Sequence, residues 1–318
     1  MSHSLPGGSR HPDLDLQVRA AWLYYVEGLT QEQTARAMRI SRAKVIRLLA
    51  AARDGGIVRI RIEARGSEQI ALERKLMTAF GLREAIVVPA PVDDADIATV
   101  VGHAAGTYLS DQVREGLSLG VGWGATLSMS LKALHSPPFE RLSVISLLGG
   151  MTHSRAVNPS AVARRIADAL GADCFQLTAP LMVADGAMRD ALWAEPGLHE
   201  LLERARRVDL ALVSVGDVSE EATLFKERLL PRSQLASLRE AGAVGDVLCH
   251  FIDAQGRVVD HPASQRVIAI DLEDLRRVPR IVIASGGRRK VAAIRAALKA
   301  LAVSVLITDD AAAAGLLE

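Results

Sequence analysis

The stretch Leu119-Gly120-Val121-Gly122-Trp123-Gly124-Ala125-Thr126 decides the fold class. Its first residues complete a short apolar run, and its glycines lead directly into a helix that is predicted to begin near Thr126. Glycines let the backbone approach an anion, the helix amino terminus offers free N–H groups, and Thr126 adds a hydroxyl. A strand that runs through glycines into a helix is typical of parallel α/β proteins.

The same alternation of strands and helices continues on both sides of this stretch. Strands are predicted at 85–88, 117–121, 142–148, 209–215, 247–252, 281–284 and 303–307, and helices at 67–80, 97–113, 159–170 and 289–301. Asn158 and Pro159 are the predicted N-cap and first-turn residues of the third helix. We therefore predict an α/β fold with a mostly parallel sheet covered by helices, in which ligands bind beyond the carboxyl ends of the strands.

Two further glycine-rich turns follow predicted strands. They are Leu148-Gly149-Gly150-Met151-Thr152 and Ser285-Gly286-Gly287-Arg288-Arg289-Lys290. Either turn alone is compatible with an ordinary structural connection, but the three turns together favour a small phosphorylated ligand, which Lys290 can reach as a point charge. Their spacing matches neither the dinucleotide nor the Walker pattern, so no nucleotide cofactor is predicted.

Asp246 precedes the apolar run 247–252. Its carboxylate is predicted either to accept hydrogen bonds from sugar hydroxyls, to act as a general base, or to serve only as a turn or cap residue. Trp123 is predicted either to stack on a sugar ring or to pack in the core, and His250 to face a neighbouring group.

The amino-terminal part of the chain has the pattern of a helix-turn-helix. Thr30-Gln31-Glu32-Gln33 predicts a capping box, and Ser41 predicts the N-cap of a second helix. A first helix, with Leu16, Ala20, Leu23, Tyr24 and Glu27 on one face, is predicted to end at Gly28. The predicted inward residues are Ala35, Val45, Leu48 and Leu49.

The outer face of this pattern is basic. Arg42, Lys44 and Arg47 are predicted to point outward, where they can contact guanine edges or phosphates, beside Thr30, Gln31 and Ser41. Between Arg36 and Arg61 there are eight basic residues and one acid. Arg39 stands in the tight turn, where glycine is usual, and residues 57–62 alternate as expected for a wing strand with Arg59 and Arg61 on its polar face. The alternative is a three-helix domain with a solvated basic face.

Length and composition bound the remaining possibilities. The 318 residues predict two domains, which we place at 14–65 and 66–318 after a disordered tail at 1–13. The helix 67–80, with Ser67 as its cap, is predicted either to join domains or subunits or simply to open the second domain.

Net charge is +1, both cysteines (Cys174 and Cys249) are predicted to be buried hydrophobes, and the histidine and cysteine spacing predicts no metal site. The chain lacks an apolar run of about 20 residues, which predicts a cytoplasmic protein.

The order of these motifs resembles the SorC family of bacterial sugar-sensing regulators. The similarity lies in residues 24–49, in Gly122-Trp123-Gly124-Ala125-Thr126, in Gly245-Asp246-Val247, in Ala284 through Lys290, and in Leu306-Ile307-Thr308-Asp309. The resemblance implies an effector domain like the sugar-phosphate isomerase and CoA-transferase-like fold, a homotetramer, and a phosphorylated sugar or polyol as effector. It implies that Gly124, Ala125 and Thr126 bind phosphate, that Gly149 and Gly150 line the pocket, that Asp246 holds sugar hydroxyls, and that Lys290 contacts the effector.

Two functional classes therefore compete. The first is a transcription regulator that binds double-stranded operator DNA under the control of this effector. The second is a sugar-phosphate isomerase with an accessory DNA-binding domain, which is disfavoured because Asp246 stands among apolar residues without an acidic cluster. A DNA-modifying enzyme lacks any nucleophile or metal pattern.

Overall fold

The computed structural model describes residues 12–58, 66–137, 139–152 and 157–318. The chain divides into two compact units, Met1–Ala64 and Arg65–Glu318, which we call the N-terminal and C-terminal units. Each has its own hydrophobic cluster or clusters.

The N-terminal unit is helical where it is described. Its helices are α1 (Pro12–Ala21), which continues into a π-helical turn at Trp22–Val26, α2 (Gln31–Met38) and α3 (Arg42–Asp54). A small core of Ala20, Ala35, Val45, Leu48 and Leu49 holds them together, and it contains all four predicted inward residues of the helix-turn-helix. The first helix begins at Pro12, inside the predicted tail at 1–13; residues 1–11 lie outside the described ranges, and the tail there stays a prediction. Glu27 follows the helix and is exposed, so it is not part of the apolar face.

The turn between α2 and α3 has the predicted left-handed conformation. Arg39 closes α2 with a φ of 54° and a ψ of 44°, and its N–H donates to the carbonyls of Ala35 and Arg36. Residues 59–62 of the predicted wing lie outside the described ranges, and Ile57 and Val58 belong to no strand. The wing stays a prediction.

The C-terminal unit is built on a seven-stranded sheet in which every pair of neighbours is parallel. The strand order is β1-β10-β9-β5-β2-β3-β4. The strands are β1 (Glu84–Val88), β2 (Ser118–Val121), β3 (Ser143–Ser146), β4 (Asp173–Phe175), β5 (Leu210–Val213), β9 (Ile281–Ala284) and β10 (Val303–Asp309). The predicted α/β class with a mostly parallel sheet is confirmed.

Helices cover both faces of this sheet. Ile281 and Ile283 of β9 belong to one hydrophobic cluster, whereas Val282 and Ala284 belong to the other, as expected of a strand that is buried on both faces. The helices are α4 (Ser67–Phe80), α5 (Ile97–Gln112), α6 (Ala125–Ser130), α7 (Pro159–Leu170), α8 (Gly186–Ala194), α9 (Pro196–Ala205), α10 (Thr223–Lys226), α11 (Gln234–Glu240), α12 (Leu272–Arg276), α13 (Val291–Ala300) and α14 (Asp310–Leu317).

Several predicted helix details needed correction. Gly66, not Ser67, is the N-cap of α4, and Ile70, which the apolar pattern of that helix predicts to lie on its buried side, is exposed. The predicted helix 289–301 is a 3-10 turn at Arg288–Lys290 followed by α13. Asn158 caps α7 as predicted, because its side chain accepts from the Ser160 N–H. Cys249 is buried, but Cys174 is only half-buried.

A separate antiparallel sheet contains β6 (Val215–Asp217), β7 (Ala243–Val247) and β8 (His250–Asp253). The predicted strand 209–215 therefore ends early and gives way to β6. The predicted strand 247–252 is instead the last residue of β7, a two-residue turn and the first three residues of β8. Leu248 and Cys249 form this turn, with φ values of 50° and 67°, the conformation that a two-residue hairpin with right-handed twist requires.

Candidate functional site

A cavity of about 340 Å³ lies at the carboxyl edge of the seven-stranded sheet. Strands β2 and β5 are neighbours in the sheet. The next strand of this sheet after β2 is β3, on one side of the pair, and the next after β5 is β9, on the other side. Such a reversal opens a crevice beyond the strand ends. The cavity wall includes Ser214 and Val215, which directly follow β5, and Trp123 and Gly124, which follow β2.

Six of the predicted effector residues line this cavity. They are Gly124, Ala125, Thr126, Asp246, Gly287 and Lys290. The structure thus brings together residues from three separate segments of the sequence, at 124–126, 246 and 287–290.

Gly122, Gly149 and Gly150 are absent from the cavity wall that the described residues form, so the structure does not bring them together with the other six predicted effector residues. Each glycine has a packing reason instead. A Cβ on Gly149 would lie 2.6 Å from the carbonyl oxygen of Ala179, and a Cβ on Gly122 would lie 3.1 Å from the Leu248 side chain. A Cβ on Gly150 would lie 2.5 Å from Ser160 Oγ. The Gly150 N–H donates to the Ala179 carbonyl, so this turn joins neighbouring chain segments.

The phosphate-binding turn predicted at Gly124 is held close to α5. Gly124 has a φ of 110° and precedes α6, and Thr126 is buried in the first turn of that helix. Gly102 of α5 faces α6 so closely that a Cβ there would lie 2.5 Å from the Thr126 carbonyl oxygen. A side chain at position 102 would therefore displace α6, whose first residues line the cavity.

Asp246 and Lys290 lie together deep in this site. Lys290 Nζ donates to the Val215 carbonyl oxygen at 2.8 Å, and Asp246 Oδ2 accepts the N–H of Cys249 at 3.0 Å. Burial raises the pKa of Asp246 to about 6, although the Cys249 N–H and the Lys290 charge oppose the shift. Burial also lowers the pKa of Lys290, against the attraction of Asp217 and Asp246. Buried groups of this kind are typical of ligand sites.

A second carboxylate beside Asp246 escaped the sequence reasoning. Asp217 is buried on β6, next to the strand that carries Asp246, and its negative charge raises the pKa of Asp246 further. Asp246 therefore has an acidic neighbour, whereas from the sequence we inferred that it stands among apolar residues. The sequence does contain a signal for this pair of carboxylates, because the tripeptide Val-Gly-Asp occurs at 215–217 and again at 244–246. The antiparallel pairing of β6 and β7 brings the two aspartates together.

The mouth of the cavity carries charged residues that were also missed. Lys226, Arg288 and Arg289 contribute positive charge, and Arg289 Nη1 lies 3.4 Å from Oε2 of Glu221. The arrangement can hold a ligand whose hydroxyl groups meet the buried carboxylates and whose anionic group meets backbone amides and these cations.

The N-terminal unit forms the second candidate site. Thr30 and Gln33 make the predicted capping box, with N···O distances of 2.8 and 3.2 Å, and Ser41 Oγ accepts the Lys44 N–H at 3.2 Å. Around the start of α2 and α3, the side chains of Thr30, Ser41, Arg42 and Arg47 are exposed, and those of Gln31 and Lys44 are half-buried. The six predicted DNA-binding residues therefore present polar and basic groups at or near the surface.

Known proteins share both the sequence pattern and the fold of this chain. The model of the sugar-binding domain family, Sugar-bind, matches residues 65–318. The erythritol catabolism regulatory protein EryD of Brucella abortus is 32% identical over 307 residues, covering 96% of this chain and 97% of that protein. The chain belongs to the SorC family of sugar-binding transcriptional regulators.

Other SorC-family relatives support this membership over the whole length. The deoxyribonucleoside regulator of Bacillus subtilis is 32% identical and covers 93% of this chain and 95% of its own. The full-length sorbitol operon regulator SorC from Klebsiella pneumoniae superimposes with a TM-score of 0.71 at 24% identity, covering 97% of this chain and 100% of its own, which shows the shared fold. These SorC-family proteins are named as regulators, and this chain is a regulator, not an enzyme.

Among the described residues of this SorC-family chain, no cluster of three metal-ligating side chains is present. Within the same ranges, every helix is too short or too polar to cross a membrane.

Proposed function

We propose that this regulator binds operator DNA through residues 14–65 and that a phosphorylated sugar or polyol in the C-terminal cavity controls its operator affinity. The observation that carries the proposal is the composition of the cavity, in which buried Asp246 and Asp217 and half-buried Lys290 lie beside glycine-flanked backbone amides and exposed arginines.

The hydroxyl end of the effector is assigned to the carboxylates. Carboxylates accept hydrogen bonds from vicinal hydroxyls, and Asp246 already uses Oδ2 for the Cys249 N–H, which leaves Oδ1 for a ligand. The relatives whose names concern erythritol, deoxyribonucleosides and sorbitol support a sugar or polyol as the effector class.

The phosphate end is assigned to the opposite wall. Gly124, Ala125 and the Thr126 hydroxyl would bind it at the start of α6, and Arg288 and Arg289 would add positive charge from the Gly287 side. Lys290, which lies beside Asp217 and Asp246, would contact hydroxyl oxygens near the same end of the ligand as those carboxylates.

Control of DNA binding would follow from linkage between the two sites. An effector that binds one quaternary arrangement better than another shifts the population towards it. Two recognition helices must be spaced by about 34 Å or a multiple to meet successive half-sites, so a modest rotation between subunits changes operator affinity. We infer a homotetramer in the cytoplasm, with residues 66–318 providing the oligomer contacts.

The test uses the full-length protein. Operator sequences are first selected from a randomised DNA duplex library, and a thermal-shift screen then compares sugar phosphates with the corresponding free sugars and polyols. The expected result is a stabilising sugar phosphate that changes operator affinity at least about tenfold, a coupling of the usual size. Operator affinity that stays unchanged across ligands that do bind would overturn the proposed control, and analytical ultracentrifugation checks the tetramer.

A further inference from the structure

The first residues of α2 and α3 are joined by a side-chain contact. Nε and Nη2 of Arg42 both lie 3.3 Å from Oε1 of Gln31, so a single amide oxygen accepts from one edge of the guanidinium group. Gln31 is the first residue of α2, and Arg42 is the first residue of α3.

Both backbones are fixed independently of this contact. The capping box between Thr30 and Gln33 orders the start of α2, and the Ser41 cap orders the start of α3. The left-handed turn at Arg39 sets how the two helices follow each other. The position of Gln31 Oε1 against the guanidinium is therefore a product of the helix-turn-helix geometry itself.

The contact leaves a defined set of donors for a partner. The outer edge of the Arg42 guanidinium is formed by Nη1 and the second hydrogen of Nη2. In the described part of the chain, neither this edge nor Nε2 of Gln31 makes a hydrogen bond. Two parallel N–H groups on that edge match O6 and N7 of a guanine in the major groove. The Gln31 amide N–H groups match a phosphate oxygen of the adjacent backbone.

We propose that Gln31 is a positioning residue that orients Arg42 to read one guanine. This inference rests on the proposed DNA-binding function and names the contact that would give it sequence preference. An arginine that is free to rotate must lose much of its rotamer freedom on binding, whereas one held along its Nε edge is already directed at the groove. Gln31 then contributes to base discrimination without touching a base.

The experiment measures base preference and not affinity alone. The full-length wild type, Gln31→Ala, Arg42→Ala, the double variant and Gln31→Glu are each passed through binding-site selection from a randomised duplex library, followed by affinity measurements on single-base variants of the selected site. Arg42→Ala is expected to lose about 5- to 150-fold discrimination at one base pair. Gln31→Ala is expected to lose about threefold or more at that same base pair, and the double variant no more than Arg42→Ala.

Gln31→Glu separates positioning from phosphate contact. It retains an acceptor for Arg42 but replaces the amide donors with charge that repels phosphate, so discrimination is expected to remain while affinity for every sequence falls. Glu32→Ala is the matched control on the same helix, and its discrimination is expected to equal that of the wild type.

Two results would overturn the positioning role: a Gln31→Ala protein that loses affinity equally for all sequences, or losses from Gln31→Ala and Arg42→Ala that simply add. A wild type that enriches no sequence would instead remove the DNA-binding function on which the pairing depends.

Discussion

Asp309, at the end of β10, accepts the backbone N–H of Gly287 through Oδ2 at 2.6 Å and the N–H of Ala312 through Oδ1 at 3.0 Å. One buried carboxylate thus ties the glycine turn of the cavity wall to the last helix. Gly286 is part of the same arrangement, because a Cβ at that position would lie 2.2 Å from Asp309 Oδ2.

Asp309→Asn is expected to destabilise the C-terminal unit by about 2–3 kcal/mol, because an amide offers only one acceptor to two buried N–H groups. Urea unfolding of the full-length protein measures this loss, and the thermal shift produced by the effector should fall with it. Asp190→Asn, at an exposed ion pair, serves as the control and should change stability by no more than about 0.5 kcal/mol. Wild-type stability in Asp309→Asn would show that the carboxylate does not hold the turn.

Lys290→Met is expected to leave operator affinity without effector unchanged and to abolish the effector response, since methionine keeps the apolar stem but loses the ammonium group. Lys299→Met is a close control, because Lys299 Nζ also donates to a backbone carbonyl, that of Ala254, at 2.9 Å. Operator affinity is measured by titration with and without the sugar phosphate found in the screen. A full response in Lys290→Met would remove Lys290 from the effector site.

The pKa of Asp246 gives a prediction with a definite sign. The pKa of Asp246 is about 6 in the folded protein, whereas its ordinary value is 3.8. Between roughly pH 4 and 6 the carboxyl group therefore holds a proton in the folded state that it has lost in the unfolded state. Ionisation of buried Asp246 therefore destabilises the folded state, and this effect is largest above pH 6. Asp246→Asn should be more stable than wild type at pH 7.5 by about 3 kcal/mol, and the difference should vanish towards pH 4.

Asp253, at the end of β8, provides a control of opposite sign for that experiment. Hydrogen bonds from the backbone of Arg257 and Gln255 and from the Arg257 side chain lower the pKa of this half-buried carboxylate. Asp253→Asn should therefore be less stable than wild type at pH 7.5, with the deficit shrinking as pH falls below 4. Denaturant unfolding at a series of pH values measures both variants. An Asp246→Asn profile parallel to the wild type would show that Asp246 titrates normally.

Arg39→Gly should stabilise the N-terminal unit by up to about 1 kcal/mol, because the φ of 54° at this position is costly for any residue with a Cβ. Arg36→Gly, in the interior of the same helix, should destabilise it by about 1 kcal/mol. Hydrogen exchange of the α2 and α3 amides in the full-length protein separates the two signs. Faster exchange in Arg39→Gly would contradict the left-handed turn.

The sequence was sufficient wherever the deciding interaction is local. The capping box joins residues three apart, and the glycine turns at 122–124 and 285–287 adjoin the strands and helices that they connect, so pattern alone located them. The Asn158 cap and the inward face of the helix-turn-helix are local in the same way.

What the sequence could not provide depends on contacts between distant segments. Apart from His250, residues 247–252 are apolar, and no glycine or asparagine indicates that Leu248 and Cys249 turn the chain. Burial of both turn residues in the core offsets the cost of their positive φ values. Likewise, Gly149 and Gly287 look equivalent in sequence. Only the packing shows that the first turn meets the Ala179 and Pro180 backbone and the second meets a cavity.

The position of β10 in the sheet also has a consequence for synthesis on the ribosome. β10 lies between β1 and β9, so β1 acquires its only neighbour in the described sheet when residues 303–309 have emerged. Until then the backbone N–H and C=O groups of Glu84–Val88 form an unpaired edge that can join another nascent chain. We therefore expect this chain to depend on chaperones during translation and to be sensitive to mutations that remove or delay β10.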